Sequence, residues 1–142
     1  MRHKAVGIVC TFSLLALAGP AYAHHAFEAE FDLNKPLKLT GVLTKVDWFN
    51  PHIYLHLDVK DASGRVTSWE LENAPPLMLR RGGLDRKALP VGQPMTIEGY
   101  AAKDGSKNLG WVNTLHLQDG STIVLITPSQ QAKANLQSTG NQ

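Results

Sequence analysis

The chain contains one cysteine and no long apolar run, and both features limit the class of protein that it can be. Cys10 has no second cysteine with which to form an intramolecular disulfide, so the fold must depend on a hydrophobic core. The longest apolar stretch, Ala5 to Ala18, is shorter than the roughly 20 residues of a membrane-spanning helix. The sequence also lacks a nucleophile motif, a phosphate-binding glycine loop and zinc-ligand spacing, which argues against an enzyme.

Residues 1–23 have the three parts of a secretory signal peptide. Arg2 and Lys4 form the basic start, the apolar run follows, and a small-x-small cleavage pattern ends at Ala23. We therefore predict cleavage after Ala23, export to the periplasm, and no membrane span in the mature protein. The alternative is an uncleaved anchor or a buried core helix, which the complete three-part pattern disfavours.

The predicted mature chain carries no excess charge of either sign. Two of the fourteen Lys and Arg residues precede the cleavage site, so twelve remain against twelve Asp and Glu residues. Nucleic-acid binding normally requires a basic surface, because neutralising phosphates supplies much of the affinity. We therefore expect no nucleic-acid partner.

Alternating apolar and polar residues predict six β-strands after the leader. One short helix is expected at Ala74 to Arg81, where prolines stand near the start and two glycines follow the end. This order of elements favours an all-β fold, a small OB-like Greek-key β-barrel. An antiparallel β-sandwich is the alternative, because strand spacing alone does not separate the two. The expected strands are Leu37 to Trp48, His52 to Lys60, Val66 to Glu72, Met95 to Ala102, Trp111 to Leu117 and Thr122 to Ile126.

These patterns divide the chain into four parts. The signal peptide, 1–23, is followed by an extended lead-in, 24–37, and by one barrel domain, 38–127. Residues 128–142 are rich in Gln, Asn, Ser, Ala and Gly and contain almost no large apolar side chains. This composition is typical of a disordered polar tail.

Five histidines remain after cleavage, and they suggest metal ligation. Cleavage after Ala23 makes His24 the N-terminal residue, whose α-amino group and imidazole can chelate one ion together. His25, His52 or His56 could supply a further imidazole, and nitrogen ligands of this kind favour copper(II). Copper is therefore the one candidate cofactor. The alternative is a solvated His-His terminus without a function.

The spacing of the strand histidines restricts how they can act. His52 and His56 share one face of the second strand but lie four residues apart, about 13 Å at the usual rise per residue. They can share one metal ion only if a bulge shortens this gap. His56 and Asp58 are two residues apart and could pair by a hydrogen bond. Otherwise His52 satisfies backbone groups at the corner, and His56 and His116 face water.

Aromatic residues define a second candidate surface, at the corner from Trp48 to His52 and on the neighbouring strands. Exposed aromatic faces suit an oligosaccharide or a protein partner. The candidate ligand-binding residues are Trp48, Asn50, Tyr54 and Trp69, with Trp111 added if it is exposed. Glu70 and Glu72 share one face of the third strand, and a solvated edge strand explains them without a catalytic role.

Arg80, Arg81, Arg86 and Lys87 form the one basic cluster of the sequence. This cluster could bind an anion or an acidic partner. Basic residues also collect at helix C-termini because of the helix dipole, so the sequence leaves both explanations open.

Six motifs follow one another along the chain: His24-His-Ala-Phe27, Gly41-x-Leu-x-x-Val-x-Trp-x-Asn-Pro-His52, Trp69-x-Leu-Glu72, Leu79-Arg-Arg-Gly82, Leu89-Pro-Val-Gly92 and Glu98-Gly-Tyr-x-Ala-Lys-Asp-Gly105. In these motifs and in their order the chain resembles a family of small secreted proteobacterial proteins, a domain of unknown function. This resemblance implies export and a small β-rich domain, and it implies no activity. The chain has Ala26 where that family more often has Ser.

Together these observations predict an exported, periplasmic, non-enzymatic binding module whose partner is a small ligand or a periplasmic protein. In its sharpest form the module binds copper or another transition metal through the terminal His24. The alternative is an interaction module that binds an oligosaccharide or a protein through exposed aromatics of the OB-like barrel.

Overall fold

The alternation of apolar and polar residues produces six β-strands in a computed structural model that describes residues 26–127 and 129–130. The predicted signal peptide, its cleavage site and the two terminal histidines lie outside the described residues, as does nearly all of the predicted polar tail. The strands are β1 Phe31–Trp48, β2 Ile53–Lys60, β3 Val66–Asn73, β4 Pro94–Ala102, β5 Leu109–Leu117 and β6 Thr122–Val124. The helices are α1 Ala26–Glu30, α2 Pro76–Arg81 and a short 3₁₀ helix, Arg86–Ala88.

The first five strands close into a ring, in the spatial order β1-β2-β3-β5-β4 and back to β1. All neighbours in the ring are antiparallel except β3 and β5, which are parallel. Strand β6 pairs with β5. A closed five-stranded ring with a helix between its third and fourth strands confirms the prediction of an OB-like barrel.

The long strand β1 closes the ring because it pairs with two partners in succession. Its first part lies against β4 and its last part against β2, and Val42 is the residue at which the partner changes. Gly41, just before this point, has no room for a side chain, because a Cβ would lie 2.4 Å from the carbonyl oxygen of Asp58. The close approach of these two backbones explains the glycine that the sequence places in the middle of a strand.

The barrel interior is filled by the inward face of every strand of the ring. The alternation is clearest in β2, whose apolar residues point inward while Tyr54 and His56 point outward. The buried apolar residues of the strands include Leu43, Val46, Ile53, Leu55, Leu57, Leu71, Met95, Ile97, Val112 and Leu115. Helix α2 adds Leu79, and the loop after it adds Leu89.

Helix α2 confirms the predicted helix in this region. Pro76 stands in its first turn, where a missing N–H costs no hydrogen bond, and Gly82 ends the helix. Near the start of the chain the expectation of an extended segment to residue 37 is wrong in part, because Ala26–Glu30 is helical and β1 begins at Phe31. No described helix is long and apolar enough to cross a membrane, and α2 has only six residues.

Candidate functional site

The register of the strands lines up four side chains across the outer face of the barrel. Tyr54 lies opposite Glu72, Glu72 lies opposite Trp111, and Trp111 lies opposite Tyr100. These residues face outward because their strand neighbours point into the core. The row therefore joins four strands, β2, β3, β5 and β4, into one surface.

Helix α1 covers one end of this row with an aromatic cluster. The ring of Phe27 meets Trp111 edge-on at a centroid distance of 5.0 Å, and it also contacts Tyr100 and Phe31. Trp111 is therefore only 1% exposed, and its Nε1 donates a hydrogen bond of 2.9 Å to Asn113 Oδ1. A surface role for Trp111, which the sequence left open, is excluded by this burial.

The other end of the row contains a histidine–carboxylate pair. Nδ1 of His52 contacts Oε1 of Glu72. The Glu72 residue is only 7% exposed, whereas about a quarter of the His52 side chain reaches solvent. The hydrogen bond to Glu72 raises the pKa of His52, burial opposes this rise, and the charges of Glu72 and Glu30 add to it.

The prediction that Glu72 belongs to a solvated edge strand is wrong. Strand β3 has β2 on one side and β5 on the other near this residue, so its end is not an edge. Glu72 is thus buried beside Trp111, while Glu70 remains exposed. A carboxylate buried at this depth normally requires a cationic or hydrogen-bonding partner, and His52 provides it.

His56 makes a different pair from the one that its spacing suggested. Its Nε2 lies 2.7 Å from Oδ2 of Asp47 on the neighbouring strand β1. Asp58, the expected partner, instead accepts a hydrogen bond of 2.5 Å from the hydroxyl of Ser68. Hydrogen bonds from Lys45 and then from His56 lower the pKa of Asp47. His52 and His56 therefore have separate carboxylate partners.

The other predicted ligand-binding residues are divided between the corner and the core. Trp48 and Trp69 are partly buried and pack against the hydrophobic core. Asn50 is exposed, and Tyr54 lies beside the ring of Phe49 at a centroid distance of 6.1 Å. Phe49 is 52% exposed, so the aromatic surface at this corner consists of Phe49 and Tyr54. Burial, followed by the charges of neighbouring carboxylates, raises the pKa of Tyr54.

A small cavity of about 160 Å³ lies between α1, the end of β3 and the loop after β4. Three of its lining residues, Glu30, Glu72 and Asp104, carry carboxylates. Among the described residues, however, no three His, Cys, Asp or Glu side chains converge closely enough to hold a metal ion. His116 lies on another face, near Glu98 and Thr122.

Sequence reasoning noted Phe27 in a shared motif but missed Glu30 and the helix that carries both residues, because it treated the segment before β1 as extended. The local signal was the four-residue spacing of Phe27 and Phe31, which is typical of one helix face. In the structure Phe27 lies in α1 and Phe31 begins β1, and their ring centroids are 5.4 Å apart. Glu72 was noticed, but its burial depends on the β3–β5 pairing, which no local pattern encodes.

Comparisons with known proteins bear on the family of the chain. No curated protein and no solved structure matches it. One family model, described as a family of unknown function (DUF6152), matches residues 12–112. This match spans more than half of the 142 residues, so the chain belongs to the DUF6152 family of unknown function.

Proposed function

We propose that the mature protein is an exported, non-enzymatic module that binds copper(II) in the periplasm. The proposed ligands are the α-amino group and imidazole of His24 together with Nε2 of His52. Three nitrogen donors suit copper(II), which lies at the top of the affinity order for divalent ions. His25 is the alternative source of the third imidazole.

The observation that carries this proposal is the orientation of the His52 ring. Its Nδ1 contacts the buried carboxylate of Glu72, and its Nε2 has no partner among the described residues. Metal-binding histidines commonly use one nitrogen for a carboxylate and the other for the metal, since this arrangement fixes the ring and its tautomer. His56 makes a similar pair through Nε2 and Asp47, so the choice of His52 depends on its nearness to Glu30 of helix α1.

The position of helix α1 supports the choice of the amino terminus. Glu30, in α1, is close enough to His52 for its charge to raise the pKa of that histidine. Phe27 fixes α1 to the barrel through Trp111. His24 precedes the helix by two residues, and two residues of chain span at most about 7 Å. The proposal requires the amino terminus to return along α1 toward Glu30 and His52.

The proposal is tested by calorimetric titration of copper(II) into protein that was exported and cleaved by its own signal. A matched sample is acetylated at its α-amino group, which removes the terminal chelate but keeps every side chain. We expect one copper per chain, bound much more weakly by the acetylated protein. Equal affinity of the two proteins would contradict the terminal site.

Two histidine variants identify the third ligand. His52→Ala is expected to weaken copper binding, whereas His56→Ala serves as the matched control on the same strand and is expected to leave it unchanged. If His25→Ala weakens binding and His52→Ala does not, the third imidazole comes from His25. Zinc(II), titrated in parallel, is expected to bind more weakly than copper(II).

A second candidate function is supported by the aromatic corner. Phe49 and Tyr54 form an exposed ring pair next to Asn50, on the β2 side of an OB-like barrel, where members of this fold class often bind oligosaccharides. Phe49→Ala is expected to abolish binding to an oligosaccharide array if this function is the relevant one. Copper affinity is not expected to change in this variant, so the two functions are separable.

A further inference from the structure

Four cations are exposed on one short segment after β3, and this segment is separate from the proposed copper site. Arg80 and Arg81 end α2, and Arg86 and Lys87 lie in the 3₁₀ helix that follows. Leu77, which is 51% exposed, lies one helical turn before the two α2 arginines. We call these five residues the basic surface.

The cations of the basic surface have no carboxylate within ion-pair distance in the described part of the chain. Many cations elsewhere do have one: Lys35 pairs with Asp32, Lys38 with Glu98, Lys45 with Asp47 and Arg65 with Asp61. The one acid inside the segment, Asp85, accepts from the backbone N–H of Lys87, so its carboxylate caps the 3₁₀ helix. The segment therefore presents a concentrated positive charge.

The backbone beneath these cations is fixed to the core. Leu79 and Leu89 are buried in the hydrophobic core, and Leu84 is partly buried against that core. Backbone hydrogen bonds also link Leu84 to Leu79 and Leu89 to Arg86. The apolar residues therefore hold the backbone of the segment against the core, and the four charged side chains are exposed.

The helix dipole accounts for only part of this charge. Arg80 and Arg81 lie in the last turn of α2, where a cation is favourable. Arg86 and Lys87 lie in a three-residue 3₁₀ helix, which has too few aligned peptide groups to produce a comparable dipole. The helix dipole therefore accounts for at most two of the four cations.

We propose that the basic surface docks on an anionic phospholipid membrane. Exposed Lys and Arg side chains around a protruding apolar residue are the combination that suits charged headgroups above an acyl region. Small ligands and peptides usually require a concave site. In the described part of the chain, the cavities of about 400, 280 and 160 Å³ are lined by other residues.

Sedimentation with lipid vesicles tests this proposal, using the mature protein and vesicles of phosphatidylcholine with and without 30% phosphatidylglycerol. Each cation near an anionic membrane contributes roughly five-fold to partitioning, so Arg80→Gln with Arg81→Gln is expected to reduce binding about thirty-fold. The matched control replaces Lys60 and Lys107, two exposed lysines elsewhere, with Gln. This control is expected to bind nearly as well as the wild type.

Leu77→Ser distinguishes a membrane from a soluble anion. The serine variant is expected to bind anionic vesicles more weakly while binding of soluble polyphosphate, measured in parallel, stays unchanged. Unfolding curves of all variants exclude a loss of fold as the cause. Equal losses in the control and the arginine variant, or binding of polyphosphate without binding of vesicles, would overturn the membrane proposal in favour of nonspecific charge or a soluble acidic partner.

Discussion

His52 and Glu72 meet across the corner before β2, so that the ring of one residue is oriented by the buried carboxylate of the other. The contact occupies Nδ1 of His52 and leaves Nε2 without a partner among the described residues. Glu72 is separated from His52 by twenty residues of sequence, and the two are brought together because Ile53 pairs with Asn73.

We expect NMR titration of the metal-free protein to give His52 a pKa above the ordinary value of about 6.5. The carboxylate of Glu72 stabilises the protonated ring more than burial destabilises it. Glu72→Gln is expected to lower this pKa, and Glu70→Gln, an exposed residue on the same strand face, to leave it nearly unchanged. A His52 pKa that does not respond to Glu72→Gln would show that the pair does not form in solution.

The same pair predicts how stability depends on pH. Folding raises the pKa of His52, so the protonated ring stabilises the folded state. This stabilisation is complete below the pKa of the unfolded state and is lost as the pH rises through the pKa of the folded state. We therefore expect Glu72→Gln to lower the free energy of unfolding, and to lower it more at pH 5.5 than at pH 8.5. Urea unfolding at both pH values measures this difference, and a larger difference at the higher pH would reverse the assigned sign.

Copper affinity is expected to depend on Glu72 even though Glu72 is not a proposed ligand. Removing a carboxylate that orients a metal-binding histidine typically reduces affinity by about 10- to 100-fold. We expect this loss in Glu72→Gln and no comparable loss in Glu70→Gln, with calorimetry as the measurement. Equal copper affinities of the two variants would show that the His52–Glu72 pair does not contribute to copper binding.

Asn73 is expected to be a strong determinant of stability. Its buried side-chain amide donates to the carbonyl oxygens of Val112 and Ile126, at 2.6 and 2.9 Å. Asn73→Ala leaves both carbonyls without this donor and should lower the free energy of unfolding by about 2–4 kcal/mol. The buried Oδ1 of Asn73 has no hydrogen-bond partner in the described part of the chain. Because Asn73→Ala also removes this unfavourable group, we expect a loss of stability at the lower end of the range.

Urea unfolding measures the loss in Asn73→Ala, and hydrogen exchange locates it. The backbone N–H of Leu125 donates to Asn113, so faster exchange at Leu125 would report release of the segment that Asn73 holds. Asn34→Ala, at an exposed position, is the control, with an expected change within about 0.5 kcal/mol. A small effect of Asn73→Ala would mean that water replaces the lost donors.

Gly99 is expected to tolerate no side chain. A Cβ at this position would lie 1.7 Å from the backbone oxygen of Trp111, so the β4–β5 pairing would have to separate. Gly99→Ala should lower the free energy of unfolding by about 3 kcal/mol or more. Gly82→Ala is the control, because its Cβ would lie 3.3 Å from the nearest atom. Similar urea midpoints for both variants would contradict the close contact at Gly99.

Local sequence patterns determined most of the barrel. Period-2 alternation identified the strands, and Pro76 with Gly82 marked the ends of α2, because the faces of a strand and the ends of a helix depend on nearby residues. The basic cluster was also visible in the sequence, as was the outward direction of His56. Export, cleavage after Ala23 and the role of His24 remain predictions.

Only the tertiary structure decided which side chains meet. His56 contacts Asp47 rather than Asp58, and Glu72 is buried against β5, because strand register places residues from distant segments side by side. Helix α1 packs on Trp111 through the ring of Phe27, a contact that no local propensity encodes. Local alternation determines the face on which a side chain lies, and the long-range pairing of strands determines its neighbours on that face.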